Sequence, residues 1–87
     1  MKLTDKCKVD FEKWSIKNYG LEYDVINLLK DSMKYGVYVD YFDSVDKEIA
    51  YEILNDEFEY YADKELTLEE ARTKAIEKAN EIRNEQL

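Results

Sequence analysis

The sequence has no histidine and no proline, two glycines and one cysteine in 87 residues. Without histidine the chain lacks the usual general base at neutral pH and the commonest neutral metal ligand. No Ser–His or Cys–His nucleophile can be assembled. The absence of proline and the scarcity of glycine argue against disorder and against a loop-rich fold, and there is no glycine-rich phosphate loop. Cys7 has no second cysteine for a disulfide or a paired-cysteine zinc site, which fits a reducing cytoplasm. Its place on an apolar stripe makes it a small core residue. No apolar run approaches the roughly 20 residues that a membrane span needs. Met1-Lys2-Leu3-Thr4-Asp5-Lys6 leads into no apolar signal region, so a cytoplasmic protein of the bacterial host cell, without a membrane partner, is expected.

What is present suffices for a core. Hydrophobic residues make up 45% of the chain, with eight Tyr, three Phe and one Trp. At this length residues 1–87 form a single domain that folds with a small margin. The densest apolar and aromatic run, Met33 to Val45, is the natural core element. The net charge of −8 is uneven. Residues 1–34 carry seven Lys and six acids, and residues 67–87 four basic and five acidic groups. Residues 35–66 hold ten acids against Lys47 and Lys64, so the whole imbalance sits there. Such a chain repels nucleic acid directly. A concentrated acidic face favours a basic partner instead, by steering and complementarity.

Periodicity predicts a first helix over about Asp5 to Tyr19, capped by Thr4 and closed by Gly20 in a left-handed conformation. Leu3, Cys7, Phe11 and Trp14 form one face, and Val9 and Ile16 lie opposite. A second helix is expected after Asp24, with Tyr23 and Leu28 as a hydrophobic staple. Its stripe is Ile26, Leu29, Met33, Val37, Tyr41 and Val45, and Gly36 within it is expected to let another element approach closely. Residues 47–62 read two ways. Alternation places Ile49, Tyr51 and Ile53 on one side and Phe58, Tyr60 and Ala62 on another, with Asn55-Asp56 as a hairpin turn. Helical spacing instead joins Ile49, Ala50, Ile53, Leu54, Phe58 and Tyr61. The hairpin is preferred, because two consecutive period-two runs flank Asn-Asp. The last helix opens with Thr67-Leu68-Glu69-Glu70, a capping box, and continues in a narrow stripe of Leu68, Ala71, Ala75, Ala79 and Ile82. The expected fold is α+β, with two N-terminal helices, a β-hairpin and a capped C-terminal helix. An all-α four-helix bundle is the alternative.

Tyr35-Gly36-Val37-Tyr38-Val39-Asp40-Tyr41-Phe42-Asp43-Ser44-Val45, following Met33, resembles a segment of small bacteriophage and prophage proteins. Thr67 to Ile82 is similar to the closing helix of those proteins, and Phe11-Glu12-Lys13-Trp14 to their N-terminal part. Together these stretches cover roughly half of the chain. The resemblance implies an order of helix, helix, strands, helix, and a phage or mobile-element accessory protein. It transfers no activity to any residue. One departure is Asp46, where the similar proteins often have Gly. By analogy with small acidic phage proteins, the expected role is inhibition of a host defence protein, anti-CRISPR proteins being one such class.

Carboxylates are abundant, but a chain this small has little room to bury a cleft around them, and no enzyme activity and no cofactor are expected. Asp40, Asp43, Asp46 and Glu48 are the best calcium candidates. Their spacing does not match an EF-hand loop and no glycine marks its turn, so solvated carboxylates rather than a metal site are expected. The candidate partner-binding residues are Asp40, Asp43, Asp46, Glu48, Glu52, Asp56, Glu57, Glu59, Tyr61 and Asp63. On a hairpin, Glu48, Glu52, Glu57, Glu59, Tyr61 and Asp63 point away from the core. Alternate residues then stand about 6.6 Å apart, close to the spacing of phosphates along a nucleic-acid strand. The expected partner is a basic host protein, a nucleic-acid-binding nuclease, with the protein itself a monomer or homodimer. Homo-oligomerisation through the aromatic stripe or the Val9 and Ile16 side is the alternative.

Overall fold

The segment that alternates in sequence is a helix in space. The computed structural model describes residues 1–63 and 66–87, and among these every regular element is helical. The helices are α1 (Asp5–Tyr19), α2 (Tyr23–Ile26), α3 (Asp31–Val45), α4 (Lys47–Asp63) and α5 (Leu68–Gln86). The expected α+β fold is therefore corrected to all-α, and the hairpin to α4. The reason lies in which apolar residues find cover. Ile49, Ala50 and Ile53 are buried, at steps of one and three, whereas Tyr51 and Phe58, core residues of a hairpin, are 65% and 74% exposed. Asn55-Asp56 is mid-helix, and the chain turns at Asp46 instead. Asp46 is extended (φ −162, ψ 104) and its Oδ1 accepts from the Glu48 amide at 3.0 Å, capping α4. A side chain that caps a helix in this way explains why an aspartate serves at this position.

The second expected helix divides in two. Asn27 follows α2, and Lys30, with ψ 149, separates it from α3. Leu28 is 86% exposed, so it makes no staple with Tyr23. The buried face of α3 is Tyr35, Tyr38, Tyr41 and Phe42, rotated from the expected stripe, and Met33 faces outward. Gly36 is exposed, and a Cβ built on it meets nothing within 4 Å, so it admits no close neighbour.

Three contacts set the helix directions. Asp46 meets Gln86, Asp56 meets Lys78 and Glu57 meets Arg72, so α4 and α5 run antiparallel. The buried small residues Ala71, Ala75 and Ala79 face the core on α5. The capping box at Thr67 is formed in both directions. The C-terminal part of α5 meets the start of α1. Thr4 is the residue before α1, but its hydroxyl does not cap it. Asn80 Oδ1 accepts from the Thr4 amide at 2.9 Å and Asn84 Oδ1 from the Cys7 amide at 2.7 Å, while Asn80 Nδ2 donates to the Thr4 hydroxyl. Two asparagines one turn apart on the last helix thus satisfy two of the amides at the start of the first. Gly20 closes α1 at φ 69, with its amide on the Ile16 carbonyl, the single bond of the αL helix end.

Rings fill the centre. Phe11 packs edge-on against Tyr38, Tyr41 and Tyr23, at centroid distances of 5.1, 5.3 and 6.1 Å. Such edge-to-face pairs contribute about 0.5–1.5 kcal/mol each beyond the area they bury. Burial pushes the Cys7 thiol up to about 11, so it is a core group with little thiolate at neutral pH.

Candidate functional site

A helix turning about 100° per residue gives α4 three sides. Ile49, Ile53 and Asp56 are buried and mark the core side. Tyr51, Leu54, Phe58 and Tyr61 mark a second, exposed apolar side. Glu48, Glu52 and Glu59, all exposed, lie between these two along a third.

The sequence-derived site residues divide over these positions. Glu48, Glu52 and Glu59 share one ridge, and among the described residues their carboxylates have no ion-pair or hydrogen-bond partner. Glu48 and Glu52 are four residues apart, a like-charge spacing that costs an isolated helix about 0.2–0.5 kcal/mol. Tyr61 is exposed on the apolar side, away from that ridge. Asp43 is exposed on α3. Asp40, also on α3, accepts from the Tyr19 hydroxyl at 2.8 Å. Asp46 is half-buried at the α3–α4 junction, where Gln86 Nε2 donates to its Oδ2 at 2.8 Å. The side chain of Asp63 lies outside the described residues. Among the described residues no group of three or more Cys, Asp or Glu is arranged to hold a metal ion.

Asp56 and Glu57 belong to the interior, which corrects the outward direction expected of Glu57 on a strand. Asp56 is only 8% exposed and pairs with Lys78 at 3.5 Å. Glu57 accepts from the Tyr35 hydroxyl and, at 3.2 Å, from Arg72 Nε, while the Arg72 guanidinium stacks 4.5 Å from the centre of the Tyr35 ring. A second tyrosine–carboxylate–arginine group joins other helices. The Tyr41 hydroxyl donates to Asp10 at 2.6 Å, and Arg83 Nη2 donates to the same oxygen at 3.0 Å. Burial and the Asp10 carboxylate raise the Tyr41 phenol, and burial with the Glu57 carboxylate raises that of Tyr35. Both phenols therefore stay protonated and act as donors. Each group ties α5 to α3 through a shared acid: Glu57 of α4 in one, Asp10 of α1 in the other.

Sequence reasoning missed the exposed apolar side of α4. Its signal was available in the helical alternative, since positions 51, 54, 58 and 61 recur at steps of three and four, out of phase with 49, 53 and 56. The chain matches no family model, no curated protein and no solved structure. No helix among the described residues is long and apolar enough to cross a membrane.

Proposed function

We propose that this protein is a non-catalytic inhibitor that binds a host defence protein at a basic, nucleic-acid-binding surface, the CRISPR effectors being the class that the sequence resemblance suggests. The observation that carries this reading is the carboxylate ridge Glu48-Glu52-Glu59, without a salt bridge among the described residues, within the third of the chain that holds the entire net negative charge. Lys78 eases the repulsion only near Glu52; the rest is relieved when lysines and arginines of a partner approach, which steers encounter and makes binding depend on salt. The ridge replaces the strand-based spacing as the proposed contact, with Asp43, exposed on α3, as a further candidate and Tyr61 on another side of α4. Its mode of action is occlusion: a partner holding these acids on its nucleic-acid groove cannot load its guide or target there.

The test uses a purified guide-dependent nuclease and its cleavage assay. The variant Glu48→Lys/Glu52→Lys/Glu59→Lys is expected to melt like the wild type and to lose at least about tenfold in inhibition, the scale of removing several interfacial charge pairs. Full inhibition by the variant overturns the ridge as the contact.

A further inference from the structure

The outer side of α1, away from Cys7 and Phe11, carries a row of lysines. Lys6, Lys13 and Lys17 are exposed there, and Val9 and Ile16 stand to one side of them, also exposed. Among the described residues none of the three lysines forms a salt bridge, although Lys6 donates to the Leu87 carbonyl oxygen at 3.4 Å. Lys6, Val9, Lys13 and Leu87 line a shallow hollow of about 580 Å³. On α4 the Glu48, Glu52 and Glu59 ridge likewise has no salt bridge, and the exposed Tyr51 and Phe58 stand to one side of it.

The two rows have the same spacing in opposite order. Lys17, Lys13 and Lys6 follow at steps of four and seven, and so do Glu48, Glu52 and Glu59. Val9 and Ile16 are seven residues apart, as are Tyr51 and Phe58. Each charged row is about 16 Å long. At about 100° per residue, the apolar pair precedes the charged row by about 70° on α1 and about 90° on α4, in the same rotational sense. Rows ordered in the same sense meet across a joint only when the helices are antiparallel, and that is the direction in which the spacings agree.

We infer that the lysine row of α1 docks on the glutamate ridge of α4 in a second copy of this chain. Lys17 then stands by Glu48, Lys13 by Glu52 and Lys6 by Glu59. Phe58 enters the hollow beside Val9, and Tyr51 covers Ile16. Charge complementarity selects this occupant. Lys13–Lys17 and Glu48–Glu52 are like-charge pairs four residues apart, and docking relieves both repulsions. Away from the joint, the like charges of two −8 chains are screened beyond about 8 Å at physiological ionic strength. Exposed ion pairs contribute little each, so the association is weak. It covers the ridge, so a basic partner competes with self-assembly. The inference goes beyond the inhibitor reading and does not depend on it.

Sedimentation equilibrium of the full chain at physiological ionic strength, in a concentration series up to about 1 mM, tests it. The apparent mass is expected to rise above that of the monomer. Lys6→Glu/Lys13→Glu/Lys17→Glu and Glu48→Lys/Glu52→Lys/Glu59→Lys are each expected to melt like the wild type and to stay monomeric. Mixed, they are expected to associate at least about tenfold more tightly than either alone, because each keeps the row that the other has lost. Both variants remain net negative, so bulk attraction does not produce that rescue. Exchange within one chain fixes the register: Lys13→Glu/Glu52→Lys is expected to regain the association that Lys13→Glu loses, and Lys13→Glu/Glu59→Lys is not. A wild type that is monomeric throughout, assembly that survives either triple reversal, no rescue on mixing, or equal rescue by the two exchanges overturns the inference. These measurements use the chain alone, so their failure leaves the inhibitor reading standing, and a ridge variant that inhibits fully leaves the self-assembly standing.

Discussion

The two glycines show how differently one residue type works at two positions. Gly20 adopts φ 69 at the end of α1, where a side chain on an L-residue is penalised by about 1–2 kcal/mol. Gly36 is helical, exposed and without a neighbour within 4 Å of an added Cβ. There it only adds freedom to the unfolded chain and lowers helix propensity. Gly36→Ala is accordingly expected to stabilise the protein by up to about 1 kcal/mol, and Gly20→Ala to destabilise it by a similar amount. Urea titrations check both, as opposite shifts of midpoint at an unchanged slope. The Gly20 role was legible, because a glycine after a periodic run with no proline nearby reads as a helix end. The outward face of Gly36 was not, because it depends on a rotation of α3 that puts Tyr38, not Val37, in the centre. Tyr38 also differs from Tyr41: its buried hydroxyl lies beside that of Tyr23, with no hydrogen bond of ordinary geometry among the described residues, whereas that of Tyr41 joins Asp10.

At the scale of elements, the buried faces of α1 and α5 were legible, whereas those of α3 and α4 were not. The range of α1 and the capping box of α5 follow from local chemistry, and both stand as expected. The segment 47–62 satisfied two periods at once, because residues that alternate over a few positions also fall at steps of three and four. Tertiary cover decided between them: α4 is shielded by α3 and by the alanines of α5, and its period-two partners Tyr51 and Phe58 are left in solvent. The candidate site moved with that decision. Glu48, Glu52 and Glu59 face outward in either form, but Glu57 does so only on a strand, and Asp56 turns inward beside Lys78. The cap on α1 was hidden for another reason, being supplied from 76 and 77 residues away. Asn84→Ala removes the acceptor of the Cys7 amide and is expected to cost about 1 kcal/mol, as losing a helix cap does. Hydrogen exchange locates the effect: faster exchange in the first turn of α1 is expected, and unchanged protection there shows that the cap contributes nothing.

For the molecule as a whole, acid is the informative stress. Partial burial alone would raise the Asp10 carboxyl, but the Tyr41 hydroxyl and Arg83 outweigh it and hold the carboxyl below its usual range. A carboxyl depressed in the folded state contributes stability in full above its unfolded value of about 3.9, and that contribution is lost as pH falls through the folded value. Asp10→Asn is expected to be less stable than the wild type at neutral pH, with the difference closing in acid, below that unfolded value. Denaturation curves at both pH values check it, and a gap that persists in acid shows that the loss is one of packing. The arrangement of α1 against α5 has a temporal consequence too. The Thr4 and Cys7 amides find their acceptors on Asn80 and Asn84, so a growing chain holds that helix end unfinished until residue 84 has been synthesised. Pairings this distant in sequence slow folding, and loss of the last two turns of α5 would release the beginning of the molecule as well as its end.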